Sequence, residues 1–170
     1  LVSDKQLITT YCTPFDPTAD ESTWNPTPCL MSQYEFSSDR LLMSMPWFIQ
    51  DYKQRKRIIK ARTISGHFYF TSGDFVKEVP YDPEIYFGGY TEETTLSLRA
   101  YTNGYDFFSP YQMVMWHEYT RSYRPKHWDD HGTKSETQKT SGERDIHARN
   151  KTRQMFGTEE YGIDLGEYGL

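Results

Sequence analysis

Two adjacent carboxylates, Glu92 and Glu93, follow Gly88-Gly89-Tyr90-Thr91 and open a segment with helical spacing. Downstream, His117 closes a run that alternates like a strand. An acid pair at a helix start and a histidine at a strand end can face one pocket, where a carboxylate contacts hydroxyls and a neutral imidazole binds a metal ion. Neighbours on a helix diverge by roughly 100°, so Glu92 and Glu93 are not an obvious acid/base dyad. Either one faces a pocket while the other pairs elsewhere, or both only complement the positive helix end. His117 reads as a metal ligand or as a structural imidazole. His127, Asp129, Asp130 and His131 form a further group, but its spacing matches no strong zinc signature and it has no Cys partner. There is no Gly-rich phosphate loop, nucleophile elbow or Cys-x-x-Cys.

The elements that must position these groups read as follows. Residues 7–12 are β-branched and end before Pro14, a strand. Residues 13–29 hold four prolines and predict an extended loop with no packed element. Trp24 in that loop either stacks on a sugar or folds back on the core. Residues 30–36 and 40–45 predict short strands. Residues 51–62 carry six basic side chains, Lys53, Arg55, Lys56, Arg57, Lys60 and Arg62, a solvated face or a site for an acidic group. Ile64 to Phe70 alternates as an inner strand with His67 and Tyr69 on one side. Gly66 inside it implies a close approach to the backbone. Asp74 predicts the N-cap of a short helix, Phe75 to Val79, stopped by Pro80. Thr91 predicts the N-cap of the next helix, Leu96, Ala100 and Tyr101 its buried stripe, and Asn103-Gly104 its left-handed end. Gln112 to His117 predicts a strand with Met113, Met115 and His117 on one face. Residues 121–131 read as a functional loop or lid. Residues 132–143 read as a mobile linker without hydrophobic side chains. Residues 145–156 predict a helix docked by Ile146, Met155 and Phe156.

At 170 residues the chain is expected to be one domain, with residues 1–131 as its core, 132–143 as the linker and 144–170 as a terminal helix and tail. Aromatic residues make up 16% of it and mean hydropathy is −0.82, which predicts an aromatic core with long polar connections. A net charge of −5 argues against a general nucleic-acid binder. No apolar stretch is long enough to span a membrane, and no signal peptide is visible. With no secretory signal, Cys12 and Cys29 are expected as reduced thiols.

Several segments carry a resemblance: 80–93 (Pro-Tyr-Asp-Pro-Glu-Ile-Tyr-Phe-Gly-Gly-Tyr-Thr-Glu-Glu), 96–100 (Leu-Ser-Leu-Arg-Ala), 103–110 (Asn-Gly-Tyr-Asp-Phe-Phe-Ser-Pro), 116–121 (Trp-His-Glu-Tyr-Thr-Arg) and 124–128 (Arg-Pro-Lys-His-Trp). Together they resemble the GlcNAc-transferase family typified by the cytoplasmic Skp1 hydroxyproline GlcNAc-transferase. More distantly the chain is similar to the polypeptide GalNAc-transferases, with their Gly-Gly-Glu helix start and strand-end histidine. The resemblance implies an α/β fold of the GT-A type, a mixed sheet with flanking helices and long loops. It implies transfer of GlcNAc from UDP-GlcNAc to a hydroxyl of a protein or glycan acceptor, with Mn2+ or Mg2+ as cofactor, in the cytoplasm. His117 would be the third metal ligand. Glu92 or Glu93 would contact donor or acceptor sugar, and Gly66 and His67, with Gly88 and Gly89, would border it. Arg124 and Trp128 would belong to the lid over the diphosphate. A cation is needed because the departing diphosphate accumulates negative charge.

The departures shape the expectation. Family members usually hold metal and UDP with an Asp-x-Asp or Asp-Ser-His motif, and this chain has none. The chain therefore reads as the acceptor-side half of the catalytic domain, a poor catalyst by itself and prone to self-association through an uncovered sheet. Tyr90-Thr91 also separates the glycines from the acids, so the acid in the family role stays open. The alternative function is a non-catalytic carbohydrate- or protein-binding module on the same scaffold.

Overall fold

The computed structural model describes residues 4–38, 40–86, 90–120, 123–126, 129 and 140–170. The fold is α/β, with a mixed sheet and flanking helices. Its centre is β1 (Gln6–Thr9), shorter than the expected 7–12. β1 pairs parallel with β7 (Asp106–Ser109) and antiparallel with β6 (Tyr69–Thr71). β5 (Ile59–Lys60) adds antiparallel to β7, which completes the order β5-β7-β1-β6. Leu7 on β1 and Phe107 on β7 enter a core with Ile64, Phe75, Val79, Leu96, Ala100 and Tyr105. Leu7 is fully buried, and its truncation to Ala would cost about 2–5 kcal/mol.

The core is mainly aliphatic rather than aromatic: only Phe75, Tyr105 and Phe107 join it, and many of the aromatic side chains, Phe36, Trp47, Phe70 and Tyr101 among them, are exposed. β7 was not anticipated. Its Asp-Phe-Phe-Ser run is only four residues long, between Gly104 and Pro110, too short to show a period. The hairpin of β3 (Cys29–Phe36) and β4 (Leu42–Phe48) matches the two predicted strands and extends the second. Pro46 lies inside β4, where it has no N–H to give the ladder, and the register shifts next to it between Met31 and Gln33. Within the proline-rich 13–29 stretch, β2 (Thr13–Pro14) does pack, pairing parallel with β8 (Trp116–His117). The stretch also holds a 3-10 turn at Glu21–Thr23. β8 is much shorter than the expected 112–117 strand because only its last two residues find a partner. Trp24 folds back on Phe15 and Trp116, with ring centroids 4.4 and 5.5 Å away.

α1 (Tyr52–Arg55) is a single turn. α2 (Phe75–Glu78) follows Asp74, whose side chain makes no capping bond. α3 (Thr91–Thr102) starts one residue earlier than expected: Thr91 is buried inside its first turn and Tyr90 stands at the cap. The C-terminus of α3 is a Schellman motif. Gly104 at φ 86° lets its N–H reach Tyr101 O and the Tyr105 N–H reach Ala100 O. Leu96 and Ala100 are buried as expected, but Tyr101 is 69% exposed. Thr94, Thr95, Ser97 and Arg99 are buried in its place, so the inner side of α3 is half polar. α4 (Ser141–Met155) begins earlier than the expected 145, at a capping box between Thr140 and Glu143. Ala148, Lys151, Thr152 and Met155 face inward, while Ile146 is 61% exposed. Residues 130–139, most of the expected linker, lie outside the described residues.

Candidate functional site

The predicted inner strand 64–70 is a tight turn for half its length. Ser65 and Phe68 pair across Gly66-His67 before β6 begins. The alternation is real, but the end of β1 captures the turn: Ser65 N–H donates to Thr9 Oγ1 (2.8 Å), and Thr9 Oγ1 and Thr10 N–H donate to Phe68 O (2.9 and 3.3 Å). Gly66 therefore sits on a turn rather than on a strand, and its amide is free of any ladder. The Glu93 carboxylate takes that amide at 2.6 Å. A Cβ on Gly66 would lie 3.3 Å from Glu93 Oε1, so the close approach read from the glycine is to this acid.

α3 presents three faces, and each has a separate task. Glu93 and Ser97, one turn apart, dock on the backbone of the turn: Ile64 N–H donates to Ser97 Oγ (2.8 Å) and Gly66 N–H to Glu93. Burial pushes the Glu93 carboxyl above its ordinary range, with the bonds from Gly66 and Ser65 working against that and the Glu92 charge adding to it. Thr94, Leu98 and Tyr101 wall a cavity of about 330 Å³ on the side of β3 and β5. Glu92, Thr95, Leu96 and Arg99 line a different cavity of about 210 Å³, closed by Tyr81, Asp82 and Ile85.

The two acids are thus unlike. Glu93 is fastened. Among the described residues the Glu92 carboxyl makes no hydrogen bond or ion pair, and burial raises its pKa. Arg99, in the same cavity, is buried, donates from Nη1 to Pro80 O (2.6 Å) and stacks 5.2 Å over Tyr168. Tyr81 hydrogen-bonds Tyr69 through their hydroxyls at 2.8 Å; burial and then that bond raise its pKa. The cavity wall is held from behind by Lys151 on α4. Its buried ammonium pairs with Asp82 Oδ2 (2.8 Å) and Glu84 Oε2 (2.6 Å).

His67 and His117 meet on the other side of the turn. Their rings stand edge-on, 5.3 Å apart. His67 Nε2 lies 2.8 Å from Tyr119 Oη, which donates to Cys12 O (3.1 Å), and His67 Nδ1 lies 3.2 Å from Ser65 Oγ. The β2–β8 pairing sets Pro14 opposite His117 and so brings residues far apart in sequence to this cluster. Tyr11 packs on His67 at 4.4 Å. Ser65 thus joins the cluster to the Glu93 carboxylate, 3.5 Å from its hydroxyl. Among the described residues, no three His, Cys, Asp or Glu side chains gather into a group that would hold a metal ion. By themselves these residues do not fit a metal centre.

Gly66, His67, Glu93 and His117 are thus linked through Ser65 and the ring contacts, whereas Glu92, next to Glu93 in the chain, lines the separate cavity with Arg99. Arg124 is exposed, and among the described residues no hydrogen bond or ion pair joins it to them. Gly88, Gly89, Trp128, His127 and His131 lie outside the described residues. Arg99, Asp82, Tyr81, Ser65 and Tyr119 were not singled out from sequence. A signal was present only for Arg99, seven residues after Glu92 and hence on the same helix face. Cys12 and Cys29 are both buried free thiols.

An α/β domain with a mixed sheet and flanking helices is the architecture of a glycosyltransferase-like fold. The sequence model of the Glycosyltransferase (GlcNAc) family matches residues 1–164, and the chain belongs to that family. Neither the curated proteins nor the solved structures gave a match. No helix among the described residues is long and apolar enough to cross a membrane.

Proposed function

We propose that this domain is the sugar-binding, acceptor-side part of a GT-A-type transferase that moves GlcNAc from UDP-GlcNAc to a hydroxyl, with Glu92 as the acid that touches the sugar. The observation that carries the reading is the contrast on α3. Glu93 spends its carboxylate on the Gly66 amide, whereas Glu92 lines a cavity that also holds the Arg99 guanidinium. Each hydroxyl of a pyranose both donates and accepts, so a carboxylate and a guanidinium in one cavity suit a polyol. A phosphate there would meet the Glu92 charge, and an apolar ligand would leave the Glu92 carboxyl without a partner. Glu93 acts as a positioning residue that fixes the turn of Gly66 and His67. The divalent ion, Mn2+ or Mg2+, belongs to the proposal through the family resemblance, with His117 as one ligand and its other ligands outside the described residues. The role of Glu92 does not depend on it. Gly88, Gly89, Arg124 and Trp128 are proposed as substrate contacts on the resemblance alone.

The test is made on the natural polypeptide that carries this sequence, by titration calorimetry with UDP-GlcNAc and by transfer of labelled GlcNAc, each with and without Mn2+. A lost charge-assisted hydrogen bond costs about 1.5–3 kcal/mol, so Glu92→Gln should lower kcat/KM roughly 10- to 150-fold. Full activity in Glu92→Gln would sink the assignment. Metal-independent binding of free GlcNAc without transfer would point instead to a carbohydrate-binding module.

A further inference from the structure

We infer that the cavity of about 330 Å³ walled by α3 is a binding site for a small apolar molecule that carries one anionic head group. This concerns binding alone and stands whether or not the transferase reading holds. The cavity shares no lining residue with the one that holds Glu92 and Arg99. Its volume falls in the range of small-molecule sites, about 300–1,000 Å³. Leu42, Ala61, Leu98, Phe107 and Phe156 give the lining its apolar part. Most of the polar side chains between them are already bonded within the protein. The Tyr34 hydroxyl donates to Arg62 O (2.9 Å), and the Tyr105 hydroxyl to Glu78 Oε2 (2.7 Å). Thr63 bonds Ser44, and Thr94 donates to Tyr90 O (2.7 Å). Ser97 donates to Glu93 O and accepts from the Ile64 N–H. Lys60 and Asp106 pair with each other at 2.8 Å. Two lining side chains are left over. Among the described residues the Arg62 guanidinium and the Tyr101 hydroxyl make no hydrogen bond or ion pair, and both residues are exposed. Burial pushes the Tyr34 hydroxyl pKa up and the Arg62 charge works against that, which sets the guanidinium near this wall.

What remains unbonded selects the occupant. A sugar or nucleotide would give up its hydrogen bonds to water and find most of the lining groups already engaged. An apolar body loses nothing there and removes its own surface from water. The one charge in the lining without a counter-charge is the Arg62 cation, so the head group is an anion. Both leftover groups can donate, and a guanidinium takes a carboxylate through two parallel N–H bonds. The exposure of Arg62 and Tyr101 sets the head at the mouth, with the body lying against Leu98 and Phe107. A protein partner would need roughly 800 Å² of surface on each side, whereas a cavity of this size matches a small molecule. The shared chemistry is that of an apolar carboxylate, whose body is either an aliphatic chain or a fused ring.

The probes are octanoate and 2-naphthoate, with 1-octanol as the neutral counterpart, followed by titration calorimetry and by thermal melting at rising probe concentration. At least one carboxylate should bind and raise Tm by mass action, and octanoate should bind more tightly than 1-octanol. Octanoate without naphthoate assigns the body as a chain, and naphthoate without octanoate as a ring; either result supports the inference. Arg62→Met keeps most of the stem but removes the charge. It should weaken the carboxylate roughly two- to fivefold, the worth of one exposed charge pair, and leave 1-octanol unchanged. Leu98→Trp fills the cavity and should weaken acid and alcohol alike. Arg62 is exposed, so circular dichroism and melting of Arg62→Met should match the parent, and that variant carries the test if Leu98→Trp misfolds. Glu92→Gln should bind octanoate as the parent does, because Glu92 lines the other cavity. Absence of binding by both carboxylates at millimolar concentration would overturn the inference. So would 1-octanol binding as tightly as octanoate, or carboxylate binding that ignores Arg62→Met and responds to Glu92→Gln.

Discussion

Replacing Lys151 with Met tests whether the wall of the Glu92 cavity is set by α4. Lys151 has 1% of its side chain exposed and Asp82 has 3%, and their charged atoms are 2.8 Å apart. Glu84, the second partner, is half exposed and can turn to water, so its share is small. The cost falls on Asp82. Its Oδ1 keeps the Glu84 N–H, but its Oδ2 would be left as a buried charge without its cation. Removing one member of a buried pair costs about 3–5 kcal/mol. For a chain of this size about 2–4 °C of Tm is lost per kcal/mol, so Lys151→Met should melt roughly 6–20 °C lower. Adding Asp82→Asn removes the stranded charge and should recover a large part of that loss. The assay is urea denaturation and thermal melting of the parent, both single variants and the double variant, read as a double-mutant cycle. A Lys151→Met loss under about 1 kcal/mol, against the 3–5 expected for a buried pair, would refute the reasoning. So would a double variant no more stable than Lys151→Met.

Burial raises the pKa of both Glu92 and Glu93 above the unfolded value. Their contribution is therefore fully present below the unfolded carboxyl range and is lost as pH rises through the raised folded values. Glu92→Gln should accordingly raise Tm at neutral pH while lowering transfer, and the gain should vanish in acid; a Tm gain that persists at low pH would contradict it. Gly66→Ala places a Cβ 3.3 Å from Glu93 Oε1 and should raise KM for the donor with little change in secondary structure, measured by initial rates and circular dichroism. An unchanged KM would mean that this turn does not border the sugar. Burial pushes the Cys29 thiol up to about 11, with the neighbouring Cys12 adding to it, and raises Cys12 as well. Both should stay unreactive toward a thiol reagent at neutral pH until urea unfolds the chain, and rapid native labelling would contradict the buried placement.

Local signals decided much of the chain. Asn103-Gly104 ends α3 because a left-handed residue is needed there and glycine has no Cβ to oppose it. The two hairpin strands, the short helix after Asp74 and the α3 segment were legible from composition, breakers and spacing. The acid pair, Gly66 and His117 could be singled out, and the close approach to Gly66 could be foreseen without knowing what approached. Long-range pairing decided the rest. The parallel contact of Thr13-Pro14 with Trp116-His117 turned a proline-rich loop into a packed element and cut the predicted strand before His117 to two residues. Thr9 and Thr10, at the end of β1, turned an alternating run into a tight turn by capturing its backbone. Equal neighbours in sequence, Glu92 and Glu93, became unequal because a helix sends them in different directions and only one direction meets the Gly66 amide. A buried lysine on α4 cannot be read as such from a polar helix. Its burial exists only because Asp82 and Glu84, far away in the chain, are brought beneath it to carry the opposite charge.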